Sequence, residues 1–222
     1  MKLLCRMTAC VALLLAGAGF ARAETLTFTG AGGDIPQSSG GTPGVLTSDI
    51  VVSESLAITD VTVTLLGLTH TWVGDLIASL THVDSGTTVD LFNRIDRTGN
   101  SGVGDASDFN GDYAFNDAFT GDLWAAAKGG GNNFDIPGGD YFATTVEGSV
   151  SLLSAFNGVL AAGTWRLSIS DNADGDSGSL GSWQLRLTAI PEPSSIVLVG
   201  LASVVGVGVG LHRRRRPHAP AR

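Results

Sequence analysis

Asp171, Asp174 and Asp176 fall within six residues, on a stretch that also carries Gly175 and Gly178. Carboxylates at this spacing on a glycine-containing loop can turn hard oxygen ligands toward one point, which is the chemistry of a calcium site. The same residues also build Asx-type turns, a purely conformational use. An EF-hand pattern read from Asn172 fails at its glycine position, Ser177, and at its bidentate glutamate position, Trp183, so spacing alone leaves both uses open.

Nucleophilic hydrolysis needs a base beside the nucleophile, and between Glu24 and Ile190 the only histidines are His70 and His82. No Gly-x-Ser-x-Gly elbow accompanies them, and both cysteines, Cys5 and Cys10, lie in the first ten residues. The expectation is a chain without enzymatic activity, with His70 a satisfied strand-edge residue and His82 a solvent-facing one. Of the four tryptophans, Trp165 and Trp183 sit on inward registers, whereas Trp124 lies in a Gly-rich stretch and is the one placed to stack on a sugar.

The field around these residues is strongly negative. Residues 24–190 carry 20 acidic side chains against Arg94, Arg97, Lys128, Arg166 and Arg186, a net charge of −15. Such a body repels nucleic acid and anionic membrane and gains from a bound cation. Without cysteine it holds no disulfide or thiolate site.

Alternation supplies the elements that must position these groups. Val61, Val63 and Leu65 alternate with threonines; Trp165, Leu167 and Ile169 alternate with Arg166, Ser168 and Ser170; Trp183, Leu185 and Leu187 alternate with Gln184, Arg186 and Thr188. This is the period of half-buried strands. The last two strands read as a hairpin, with the Asp- and Gly-rich stretch 171–182 as its connection. Shorter runs at Leu26–Thr29, Ile50–Ser53, Asp75–Val83 and Thr87–Phe92 fit further strands, Gly30–Gly44 reads as a long loop, and Ser149–Leu160 holds at most a helical turn. The sum predicts one all-β domain over 24–190, an antiparallel sandwich or jelly roll.

The two ends read as addresses. Residues 1–23 have a basic start, an apolar run and Ala21-Arg22-Ala23, the pattern of a signal peptide cut by signal peptidase after Ala23. At the other end, Pro191-Glu192-Pro193 precedes an uncharged apolar stretch, with a transmembrane helix expected over 195–211. Arg213, Arg214, Arg215 and Arg216 stop transfer there and leave 217–222 as a cytoplasmic tail, so the acidic domain faces outward. Pro-Glu-Pro, a short Gly/Val-rich membrane helix and a terminal arginine cluster resemble a PEP-CTERM sorting signal over 191–216. The resemblance implies an exosortase-type membrane protease as processing partner, transient anchoring in the inner membrane, and a final place at the cell surface or outside the cell, in an exopolysaccharide-rich biofilm setting.

A second resemblance covers most of residues 50–188. Asp60-Val-Thr-Val-Thr-Leu leads into His70-Thr71-Trp72-Val73-Gly74-Asp75-Leu76; Tyr113-Ala-Phe-Asn-Asp117 follows; then Gly163-Thr-Trp165-Arg-Leu167 runs to Asp171, Gly175-Asp176-Ser-Gly178-Ser-Leu180 and Trp183-Gln-Leu185. In order and spacing this is similar to the P/homo B domain, the β-sandwich that follows the catalytic domain in proprotein convertases and many secreted bacterial proteases. It implies calcium bound through loop aspartates, with Asp75, Asp117, Asp171 and Asp176 on the motif positions beside Asp174. It implies no catalytic machinery. Two roles are compatible with it: a non-catalytic exported domain used for structure or binding, and an accessory or chaperone-like domain for a separate secreted subtilisin-like serine protease. Trp124 adds a third, weaker reading as an exopolysaccharide-binding module.

Overall fold

The computed structural model of the chain describes residues 22–99 and 102–191, and among these residues there are ten strands, the longer of which follow the alternation of the sequence. In chain order they are β1 (Glu24–Ile35), β2 (Gly44–Val52), β3 (Leu56–His70), β4 (Leu76–His82), β5 (Thr87–Asn93), β6 (Asp108–Phe115), β7 (Asp135–Ile136), β8 (Gly139–Tyr141), β9 (Gly163–Asp171) and β10 (Gly178–Pro191). One sheet runs β1-β10-β3-β6-β7, with β8 also on β6; the other runs β2-β9-β4-β5. The recorded pairs are antiparallel except that β7 and β8 lie parallel to β6. The fold is an all-β sandwich, and Ala23–Ile190 form one compact unit.

The core lies between the inner faces. Val61, Val63 and Leu65 of β3, Trp165, Leu167 and Ile169 of β9, and Trp183, Leu185 and Leu187 of β10 are all buried. Each indole keeps its polar edge satisfied: Trp165 Nε1 donates to Ala161 O at 2.9 Å, and Trp183 Nε1 donates across to Ser48 Oγ of β2 at 2.9 Å. Thr62, on the face that alternation assigns to solvent, is also buried, because its Oγ1 accepts from Asn116 Nδ2 at 3.0 Å and Arg186 Nη2 at 3.1 Å.

Four local expectations are corrected. The strands β9 and β10 do not form a hairpin: they lie in different sheets, and residues 172–177 carry the chain from one sheet to the other. That connection is also shorter than expected, since β10 already begins at Gly178. The stretch 30–35 is strand, not loop, because β1 runs to Ile35. Its glycines serve close approach rather than freedom, as a Cβ on Gly30 would stand 2.0 Å from Trp183 Nε1. Trp124 lies on a helix, α1 (Leu123–Lys128), which the Asp122 side chain caps by accepting from Ala125 N.

The helical turn expected within 149–160 is a 3-10 turn at Leu153–Phe156, with Leu153 and Phe156 in the core. At the domain's ends, Ala23 is exposed just ahead of β1 and Pro191 closes β10. Ala21, Glu192, Pro193, the segment 195–211 and Arg213–Arg216 lie outside the described residues. Among the described residues, no helix is long and apolar enough to cross a membrane.

Candidate functional site

His70, Asp75, Asp171, Asp174 and Asp176 lie at one end of the sandwich. There β3 ends at His70, β9 ends at Asp171, and the 3-10 turn Val73–Asp75 leads into β4. Asp171 stands in register with Leu76 of β4 and Gly44 of β2, so the antiparallel ladder itself sets its carboxylate beside Asp75.

His70 and Asp171 join the two sheets. Nε2 of His70 lies 3.1 Å from Oδ2 of Asp171, and neither side chain has any exposure. Nδ1 of His70 lies 3.0 Å from Trp72 O and 3.1 Å from Trp72 N, and Nε2 is the nitrogen that faces the carboxylate. The second oxygen of Asp171 accepts from Ala173 N at 3.1 Å. Packing is tight enough to dictate the neighbour: a Cβ on Gly178 would stand 2.1 Å from Thr69 O and 2.8 Å from His70 Cδ2.

Asp75 is buried beside this pair. Burial first, then the charge of Asp171 and to a lesser degree that of Asp176, push its carboxyl up to about 6, while Arg94 and His70 pull the other way. Arg94 places Nη2 3.4 Å from Asp75 Oδ1 and donates through Nε to Gly74 O at 2.8 Å. The Asp75 carbonyl accepts from both N and Nδ2 of Asn172, each at 2.9 Å. On the loop's outer side, Asp176 Oδ1 accepts from Thr71 Oγ1 at 2.8 Å, and Asp174 accepts from Ser38 Oγ of the β1–β2 connection. Each acidic side chain of the crossing loop is thus tied to a different segment.

The aspartates expected to bind calcium are brought together only in part. Asp75 and Asp171 adjoin, with Asp176 near enough to act on Asp75, but Asp174 is turned to Ser38. Asp117 serves elsewhere: its two oxygens accept from Leu153 N at 2.7 Å and Ser154 N at 2.8 Å, which starts the 3-10 turn at Leu153. Among the described residues, no group of three or more His, Cys, Asp or Glu side chains is arranged to hold a metal ion.

Two further sequence expectations change. His82 points inward, not to solvent: its ring lies 4.7 Å from that of Trp165, with Nδ1 3.0 Å from Ser85 Oγ and Nε2 3.1 Å from Ala162 O. Trp124 is only 8% exposed, and its ring packs against Gly148, with Lys128 Nζ 5.9 Å from the ring centre, so no free face remains for a sugar to stack on. Sequence reasoning missed Arg94, Asn172 and Ser38. The one signal for Arg94 was scarcity, as one of five cations in a domain of net charge −15.

Residues 133–187 match the family model of the proprotein convertase P-domain. Two solved structures are similar to this chain: the Aeromonas sobria serine protease and chaperone complex, at 17% identity and a TM-score of 0.44, and the serine protease of Aeromonas sobria, at 19% and 0.40. The similarity covers 81% and 80% of this chain, which spans 29% of the length of each of those. No curated protein sequence matches the chain.

Proposed function

We propose that this chain is a non-catalytic exported β-sandwich, processed at an exosortase-read C-terminal tail and retained at the cell surface or in the extracellular matrix, where it contributes structure or binding. The observation that carries the non-catalytic part is the use of its histidines. His70 and His82 are both buried, His70 between the sheets against Asp171 and His82 against the Trp165 ring, so neither faces a surface where a substrate could meet it as a general base. Purified secreted protein that hydrolyses peptide or glycan substrates would overturn that part.

Export and sorting rest on Ala21-Arg22-Ala23 and on Pro191-Glu192-Pro193 with the apolar stretch and Arg213–Arg216. The exposed Ala23 just ahead of β1 agrees with a mature N-terminus that begins at the first strand. Intact mass spectrometry of the extracellular form tests both ends at once. The expected species starts at Glu24 and lacks the arginine cluster; a species still carrying Arg213–Arg216 refutes the sorting reading.

A second reading is favoured by the P-domain match over residues 133–187. In it the chain assists a separate secreted subtilisin-like serine protease as accessory or chaperone-like domain. Affinity capture from culture separates the two: recovery of such a protease in stoichiometric amount supports assistance, and its absence leaves the structural role.

A further inference from the structure

We infer that Arg94 is a built-in counter-cation for Asp75 and Asp171, its guanidinium at Asp75 standing in for a divalent ion, so that this acidic centre is locked by the protein itself and works without calcium.

The oxygens that such an ion would need are already engaged by nitrogen donors. Gly74 O accepts from Arg94 Nε at 2.8 Å, and Asp75 Oδ1 faces Arg94 Nη2 at 3.4 Å. Asp75 O accepts twice from Asn172, and Asp171 accepts from His70 Nε2 and Ala173 N. A calcium ion takes six to eight oxygens at about 2.3–2.6 Å. Here it would have to displace a guanidinium and break these bonds one after another.

The chain accepts an awkward backbone to put Arg94 there. Arg94 has φ 42°, in the left-handed region that non-glycine residues rarely occupy, while its N–H remains bonded to Leu76 O at 2.8 Å. This turn at the end of β5 aims the side chain back at the turn Val73–Asp75, where its exposure falls to 12%. The compensation is partial, since burial and Asp171 still raise the Asp75 carboxyl to about 6 against the pull of Arg94. Arg94 also lines a cavity of about 350 Å³ with Asn93, Arg97 and Glu147, so shortening its side chain opens the centre toward that space.

The test is a melting experiment on the purified secreted chain, stripped with chelator and then titrated with calcium chloride. Wild type should melt at the same temperature with and without millimolar calcium. A site filled tenfold above its Kd would raise the midpoint by about 3–6 °C in a domain of this size, and such a rise in wild type overturns the inference. Arg94→Gln should melt below wild type and regain part of the loss on calcium addition. Arg94→Gln with Asp75→Asn, which removes both charges, should melt above the single variant and ignore calcium. If the single variant does not fold, the wild-type titration and the stability of the double variant still decide. A double variant that is no more stable than Arg94→Gln also overturns the inference.

Discussion

Replacing Asp171 with alanine should lower stability by about 2 kcal/mol, and the number follows from three parts. The variant strips the acceptor from His70 Nε2, a donor with no exposure, which costs about 1–3 kcal/mol when left unpaired in the interior. It also frees Ala173 N, which lies on a partly exposed loop where water can replace the lost partner at a cost of about 0.5 kcal/mol. Against these stands relief at Asp75. Its carboxyl is raised from 3.8 to about 6, and Asp171 is the second cause after burial, so removing that charge returns part of a total of about 3 kcal/mol. The net loss corresponds to a fall in melting temperature of about 4–8 °C for a domain of this length. Urea or thermal unfolding followed by tryptophan fluorescence reads it directly, since Trp165 and Trp183 are fully buried. Asp171→Asn is the sharper comparison. It keeps an acceptor for His70 and removes the charge, so it should stay within about 1 kcal/mol of wild type. An alanine variant that melts with wild type, or an asparagine variant that falls as far as alanine, would refute the claim that this bond joins the sheets.

The raised Asp75 carboxyl gives a pH signature. Between its unfolded value of 3.8 and its folded value of about 6, the folded chain holds a proton that the unfolded chain releases, so stability from this group is full below 3.8 and is lost as pH rises through 6. Urea midpoints measured across that window should fall for wild type relative to Asp75→Asn; parallel curves would count against the burial argument. Trp124→Ala should destabilise by about 3–5 kcal/mol, as for a buried aromatic, with exopolysaccharide retention of the folded fraction unchanged. Normal melting with lost retention would reinstate the glycan contact. Gly178→Ala places a methyl 2.1 Å from Thr69 O and should cost about 2 kcal/mol or more, seen as a lower midpoint or loss of soluble protein.

The inner faces were legible because burial leaves a period of two in β3, β9 and β10, and the sheet assignment was not, because that period says which face is buried and nothing about the strand alongside. The Asp- and Gly-rich stretch after β9 therefore read as a hairpin connection, whereas residues 172–177 pass between sheets. Glycine misled in the same way near Gly30. Its count suggested a loop, but there the missing Cβ makes room for the Trp183 indole, a tertiary cause with no local signature. Trp124 was misplaced because Gly129, Gly130 and Gly131 follow it closely, while the stronger local signal was Asp122 ahead of a Leu-Trp-Ala-Ala-Ala-Lys run. At the acidic centre, Asp75 and Asp171 were found through motif spacing, and Arg94 was not, because a basic partner 19 positions from Asp75 belongs to no sequence pattern.

What the P-domain match transfers is best judged from where its residues point. Within 133–187, Trp165, Leu167, Ile169, Asp171, Leu180, Trp183 and Leu185 are all buried, and the acidic residues of the crossing loop bond to neighbouring segments of this same domain. The matched stretch therefore specifies how a strand of one sheet hands the chain to a strand of the other, and it supplies Asp171, the residue that His70, outside the match, holds. Such a joint keeps its shape whether the outer surface meets a protease, a polysaccharide or another copy of the chain, so the match carries architecture and leaves recognition to the exposed residues. Charge on those exposed faces is then the property to vary: a partner held by the −15 field should dissociate as salt rises, whereas one held at an apolar edge such as Val146, Val150 and Leu152 should not.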